Sequence, residues 1–138
     1  MNRRFSILLL SILSLTLMSS CRTAMRDASG IQIVEEQSYY CDYSVSGEEV
    51  IIKCVLYIKN TNGYLAEFGI NGNFPNDEGV LLMASHLNGI DSSTGNSHFV
   101  LSPYEEKSFE VQFIGAFAGT NQKNDRLLPE LEIRTVDQ

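Results

Sequence analysis

The chain has 138 residues, with 10 Lys and Arg against 17 Asp and Glu, a formal charge of −7, three cysteines and no tryptophan. That length suits one hydrophobic core, since domains of roughly 100–150 residues are the commonest. The few cations are scattered, which argues against binding to a phosphate backbone, so nucleic acid is not an expected partner.

Met1-Asn2-Arg3-Arg4 carries positive charge, and Phe5 to Met18 is apolar apart from small hydroxyl residues. This reads as a signal peptide over residues 1–20, because the apolar run falls short of the ~20 residues that span a bilayer. Leu17-Met18-Ser19-Ser20-Cys21 follows directly and resembles the lipobox of bacterial lipoproteins, in which an apolar residue and two small residues precede a cysteine that is lipidated after cleavage. The family pattern prefers Leu three places before the cysteine, where this chain has Met18. The resemblance implies that Cys21 becomes an acylated N-terminus with the domain outside the cytoplasm, on the cell membrane or the outer membrane. Cleavage and release without a lipid is the alternative. Residues 21–30 then read as lipidated cysteine and tether, lacking apolar periodicity, and 31–138 as the folded domain.

From Tyr39 onward the periodicity is two. Tyr39, Cys41, Tyr43 and Val45 alternate with Ser38, Tyr40, Asp42 and Ser44, and Val50, Ile52, Cys54, Leu56 and Ile58 alternate with Ile51, Lys53, Val55, Tyr57 and Lys59. Both runs predict strands. Gly47 at the first central position of Ser46-Gly47-Glu48-Glu49 predicts a type II′ hairpin, and that register places Val45 opposite Val50, Tyr43 opposite Ile52 and Cys41 opposite Cys54. In an oxidising compartment the last pair predicts a cross-strand disulfide, with two reduced thiols packed as small hydrophobes the alternative. Tyr40, Ile51, Val55 and Tyr57 then share the outer face as a candidate binding surface, or as a stripe covered by another segment.

Asn60-Thr61-Asn62-Gly63 predicts a turn and Tyr64 to Ile70 a strand, followed by the loop Asn71 to Gly79. Val80 to Leu87 is apolar enough for a strand or a helical turn, Asn88 to Ser97 reads as loop, and His98 to Leu101 as a short strand. Ser102-Pro103-Tyr104-Glu105 predicts a type I-like turn. Phe109, Val111 and Phe113 mark a core strand, and Leu128 to Val136 the last one. About seven strands, with frequent turns and no helix-length amphipathic stretch, predict an all-β fold, an antiparallel Ig-like β-sandwich, with a barrel as the alternative.

The segments IKNTNG, FPNDEGVLL and FVLSPYEEKSFEVQF, within residues 50 to 113, resemble the ordering of Ig-like bacterial lipoprotein domains of the FxLYD type, although the FxLYD string itself is absent. The resemblance implies a cell-envelope domain and carries over no catalytic residue.

Neither His86 nor His98 has a Cys, His or carboxylate at zinc spacing. Asn71, Asn73, Asn76, Asp77 and Glu78 put oxygens in one loop without the spacing of a calcium-binding EF-hand loop, so the loop reads as a turn. No serine has a nucleophile motif, and Ser85-His86 reads as adjacency along a strand. No catalytic residue, metal or cofactor is therefore expected. The expected function is a lipid-anchored envelope module that binds a protein or polymer, or else an accessory of a larger membrane complex that pairs through a strand edge.

Overall fold

The computed structural model describes residues 24–121 and 127–136, so Cys21 and the predicted leader lie outside it. Its eight strands are β1 (Ile31–Ile33), β2 (Tyr39–Ser46), β3 (Glu49–Asn60), β4 (Ala66–Asn73), β5 (His86–Asp91), β6 (Phe99–Leu101), β7 (Glu106–Ala116) and β8 (Glu130–Arg134). Every strand pairing is antiparallel, so the all-β sandwich expected from the alternating sequence is present, with one strand more than counted.

The long strand β3 organises the first sheet. One edge pairs with β7 from Glu49↔Ala116 to Lys59↔Glu106. The other is shared, β2 taking the half nearer Glu49 and β1 the last three residues. Ser38 fills the gap between them: its hydroxyl accepts the Tyr57 N–H at 3.0 Å and donates to the Val34 carbonyl at 2.8 Å. A side chain thereby replaces a missing strand partner, and the buried edge stays satisfied.

The second sheet is built on β4, which pairs with β8 over Gly69–Asn73. It also pairs with β6 near its start and with β5 near its end. Strand β5 belongs to both sheets, leaving β4 after Asn88 and joining β7 at Gly89↔Phe113. A Cβ at Gly89 would lie 3.0 Å from the Ile70 carbonyl oxygen and 2.9 Å from Val111, so only glycine fits this corner. Between the sheets lie Val50, Ile52, Leu56 and Ile58 of β3, Phe68 and Ile70 of β4, Phe99 of β6, and Val111 and Phe113 of β7, all fully buried.

Two expectations on the connections are corrected. Only His86 and Leu87 of the Val80 to Leu87 run are strand, as the start of β5; before them the N–H groups of Val80, Leu81 and Leu82 all converge on the Asp77 carbonyl in a turn that tucks Leu81 and Leu82 into the core. The 102–105 turn is type II, because Tyr104 at its third position has φ 56° while Glu105 N–H bonds back to the Ser102 carbonyl at 3.1 Å.

The β2–β3 hairpin follows expectation. Ser46 pairs with Glu49, and Gly47 alone of the two turn residues has positive φ, 63°, as type II′ requires. Nothing lies within 4 Å of a Cβ built on Gly47. Gly47→Ala should therefore destabilise the protein by about 1 kcal/mol through backbone strain alone, and Gly47→Asn by less. Urea midpoints at unchanged m-value measure this; a neutral Ala variant would mean the turn has another geometry.

Strand β3 runs the length of the molecule, about 36 Å at ~3.3 Å per residue. The molecule thus has a Gly47 end and an Asn60 end. Asn60, the β4 start and the β6 end meet at the latter, where the Asn60 amide reaches the Leu101 carbonyl at 3.3 Å.

Candidate functional site

Alternation along β4 sends Ile70 and Gly72 inward and Asn71 and Asn73 outward. Pairing aligns Glu130 and His86 with Asn73 from either side, and Glu132 and Asn88 with Asn71. The same rule turns Leu131 and Ile133 of β8 toward the core. The outward rows frame an open concavity of about 290 Å³ lined by Asn71, Gly72, Asn73, His86, Glu130, Leu131 and Glu132.

Its side chains are held in place. Asn73 donates to Glu130 Oε2 at 3.0 Å, and Arg134 Nε donates to Asn71 Oδ1 at 3.1 Å. The Arg134 guanidinium lies where a side chain on Gly69 would stand, with 2.4 Å from Cζ to a Cβ built there. Asn73 Oδ1 is buried and has no hydrogen-bond partner among the described residues. The carboxylates of Glu130 and Glu132 supply the acceptors of this surface, so it suits a ligand rich in donors, such as hydroxyls or ammonium groups.

Ser85 Oγ and His86 Nδ1 stand 3.2 Å apart, correcting the expectation that neighbours on a strand cannot meet. Ser85 occupies the bend before β5, where strand alternation does not separate them. Ser85 is buried, and no carboxylate bonds to the imidazole among the described residues, so the contact lacks the third member that orients a catalytic base.

The predicted cysteine pairing is corrected. The register from Ser46↔Glu49 to Asp42↔Lys53 is the expected one, but a β-bulge at Cys41 then places Tyr40, not Cys41, opposite Cys54. Both thiols are free, Cys41 exposed and Cys54 in the core. The extra residue reverses the alternation beyond it. Tyr40 consequently packs against the core with Tyr43 and Val45, and burying an aromatic ring there gains about 2 kcal/mol more readily than burying a small thiol.

The same bulge corrects the predicted apolar surface. Ile51, Val55 and Tyr57 are half-buried on the outer face of β3 as expected, but Tyr40 has left that face and Tyr39, 54% exposed, stands opposite Val55 in its place. Ile114 of β7 pairs with Ile51, and Lys53 with Asp42 opposite interrupts the stripe. The loop oxygens are also dispersed: Asn71 and Asn73 belong to β4, while Asp77 is buried in the 75–77 turn. Among the described residues no group of three or more His, Cys, Asp or Glu is placed to hold a metal ion, and no helix is long and apolar enough to cross a membrane.

Burial, reinforced by the neighbouring Cys41, pushes the Cys54 thiol up to about 12. At pH 8 its thiolate is then about three orders of magnitude scarcer than that of an ordinary cysteine. Iodoacetamide should modify the Cys41 peptide of the folded protein and reach the Cys54 peptide only after unfolding. Peptide mass spectrometry checks this, and a linked Cys41–Cys54 peptide would contradict the bulged register. The Cys54 contribution to stability is complete below its unfolded pKa of roughly 8.5 and is lost as pH climbs from there toward the folded value.

The concavity escaped the sequence reading because its residues come from segments far apart in the chain. The only local signal was the alternation Asn71-Gly72-Asn73 and Glu130-Leu131-Glu132, which marks two outward rows without saying that they are neighbours. Comparison with protein-family models, with curated proteins and with solved structures finds no match.

Proposed function

We propose that the chain is a lipid-anchored binding module of the cell envelope, acylated on Cys21 and without catalytic activity. The observation that carries this reading is the apolar run Phe5 to Met18 leading directly into Leu17-Met18-Ser19-Ser20-Cys21. The order of turns that resembles FxLYD-type lipoprotein domains supports it. In this reading the β5–β4–β8 concavity is the contact surface, and its acceptor-rich lining selects an envelope polymer bearing hydroxyls or amines, or the basic surface of an envelope protein.

The intact mass of membrane-extracted protein tests the anchor. A chain beginning at Cys21 and carrying acyl groups is the expected result, with Cys21→Ala unacylated and absent from the membrane fraction; an unacylated, released wild-type chain overturns it. The concavity is tested by retention on washed envelope material, which Glu130→Gln with Glu132→Gln should weaken at unchanged stability. Equal retention of parent and variant would remove the concavity from the reading.

The outer edge of β2 favours a second reading, an accessory that adds its edge to a strand of a membrane complex. β2 pairs with β3 alone among the described strands. The Cys41 bulge and the charge of Asp42 interrupt that edge, leaving Tyr43 to Ser46 as its regular stretch. Migration as a single unassociated species in native detergent extracts would argue against this role.

A further inference from the structure

We infer that acylated Cys21 holds the Asn60 end of the sandwich directly against the bilayer, with Tyr104 among the lipid headgroups and the Gly47 end pointing away. The inference rests on the acylation proposed above and adds an orientation to it.

The segment read from sequence as a free tether is docked on the sandwich from Met25 onward. Met25 N–H bonds to the Leu65 carbonyl at 2.7 Å, and the Glu67 N–H bonds to the Met25 carbonyl at 2.9 Å. The Asp27 carboxylate accepts from Ser29 N–H at 3.0 Å and from the Tyr64 hydroxyl at 3.2 Å. The Gly30 carbonyl accepts both the N–H and the hydroxyl of Thr61, each at 2.8 Å. Only the four steps from Cys21 to Met25 are left to span the gap, a reach of at most about 14 Å. A tether free as far as Ile31 would reach about 35 Å, the length of the domain itself, and would leave its orientation open.

The surface delivered by this leash suits a lipid interface. Met25 is 49% exposed, Val100 46% and Tyr104 71%. Val100 pairs with Glu67, the same residue whose N–H binds Met25, so the two apolar side chains belong to one level of β4. Tyr104 tops the neighbouring turn, its N–H bonded to the Asn62 carbonyl at 3.1 Å. It is the one non-glycine residue with positive φ among those described, at a turn position where glycine is usual. A side chain there costs about 1–2 kcal/mol of backbone strain. The ring edge lies over Gly63, with the hydroxyl 3.0 Å from a Cβ built there, yet 71% of the residue stays exposed and available to headgroups, the depth to which tyrosine partitions. Arg22 and Arg26 bracket Met25 in an otherwise acidic chain, and each cation near an anionic leaflet contributes ~1 kcal/mol. The concavity at Asn73 lies about 23 Å further along β4, beyond the leash and clear of the membrane.

The chain has no tryptophan, so single reporters can be introduced by Tyr104→Trp, Val100→Trp and Glu48→Trp in the full lipidated protein. Reconstituted in phosphatidylcholine–phosphatidylglycerol vesicles with bromine on the upper acyl chain, Tyr104→Trp and Val100→Trp should be quenched several-fold more than Glu48→Trp. A Gly/Ser insertion of roughly ten residues between Arg22 and Thr23 should narrow that difference. Equal quenching at both ends, or stronger quenching of Glu48→Trp, overturns the orientation. The intact mass of the same sample separates the two failures: an unacylated chain overturns the anchor and the orientation together, whereas an acylated chain without the quenching gradient overturns the orientation alone.

Discussion

Asn60→Leu should lower unfolding free energy by about 4 kcal/mol, a large part of what a domain of this size has to lose. Asn60 is fully buried at the end of β3. Its amide donates to the carbonyls of Tyr64 at 2.9 Å, Leu101 at 3.3 Å and Ser102 at 3.0 Å, and its Oδ1 accepts the Asn62 N–H at 2.9 Å. One side chain therefore ties β3, the 61–65 turn, the end of β6 and the Tyr104 turn together. Leucine matches the volume but deprives four backbone groups of their partner, and an orphaned buried group costs about 1–3 kcal/mol. Asn60→Asp separates charge from shape. Burial among carbonyl oxygens raises the introduced carboxyl's pKa above its unfolded value, so the variant, relative to its parent, should be most stable in acid and lose stability as pH rises from about 4. Urea unfolding at pH 4 and 7 measures both variants. A Leu variant within 1 kcal/mol of the parent would show that water satisfies those groups instead.

Phe113→Ala should cost a similar amount, about 4 kcal/mol, by emptying the middle of the core. The ring is fully buried and packs edge-on against Phe74, centroids 5.3 Å apart at 71°. It occupies space left by two glycines: a Cβ on Gly72 would come within 2.8 Å of the Phe113 ring, and one on Gly89 within 3.3 Å. The substitutions should therefore couple. Gly72→Ala alone overpacks and costs about 1–3 kcal/mol, yet in the Phe113→Ala background the added methyl partly fills the void and costs less. A double-mutant cycle with strictly additive values would place Gly72 and the ring out of contact. Because Gly72 separates Asn71 from Asn73, the same ring supports the floor of the polar concavity, and Phe113→Ala should weaken envelope retention more than its loss of stability alone explains.

Several features were legible from residue order because their causes are local. The β2–β3 hairpin follows from the freedom of Gly47 and from period-two runs on both sides. The inward face of β3 follows from Val50, Ile52, Cys54, Leu56 and Ile58, all buried as the alternation requires. Less legible was Cys41, since the bulge that displaces it depends on which side chain gains most from the core, and nothing near Cys41 announces that Tyr40 wins. Asn60 looked like one more turn residue, because its three carbonyl partners come from Tyr64, Leu101 and Ser102, two of them some forty residues away.

The sequence by itself determined the all-β class, the hairpin and its turn type, and the acidity, because each depends on residue order, spacing or composition. Only the tertiary structure decided the β5 corner, the free cysteines, the docking of Met25 to Gly30 and the meeting of Asn73, His86 and Glu130. Those outcomes turn on competition for one core and on pairing between distant segments, whose energies exist only once the sheets have closed on each other.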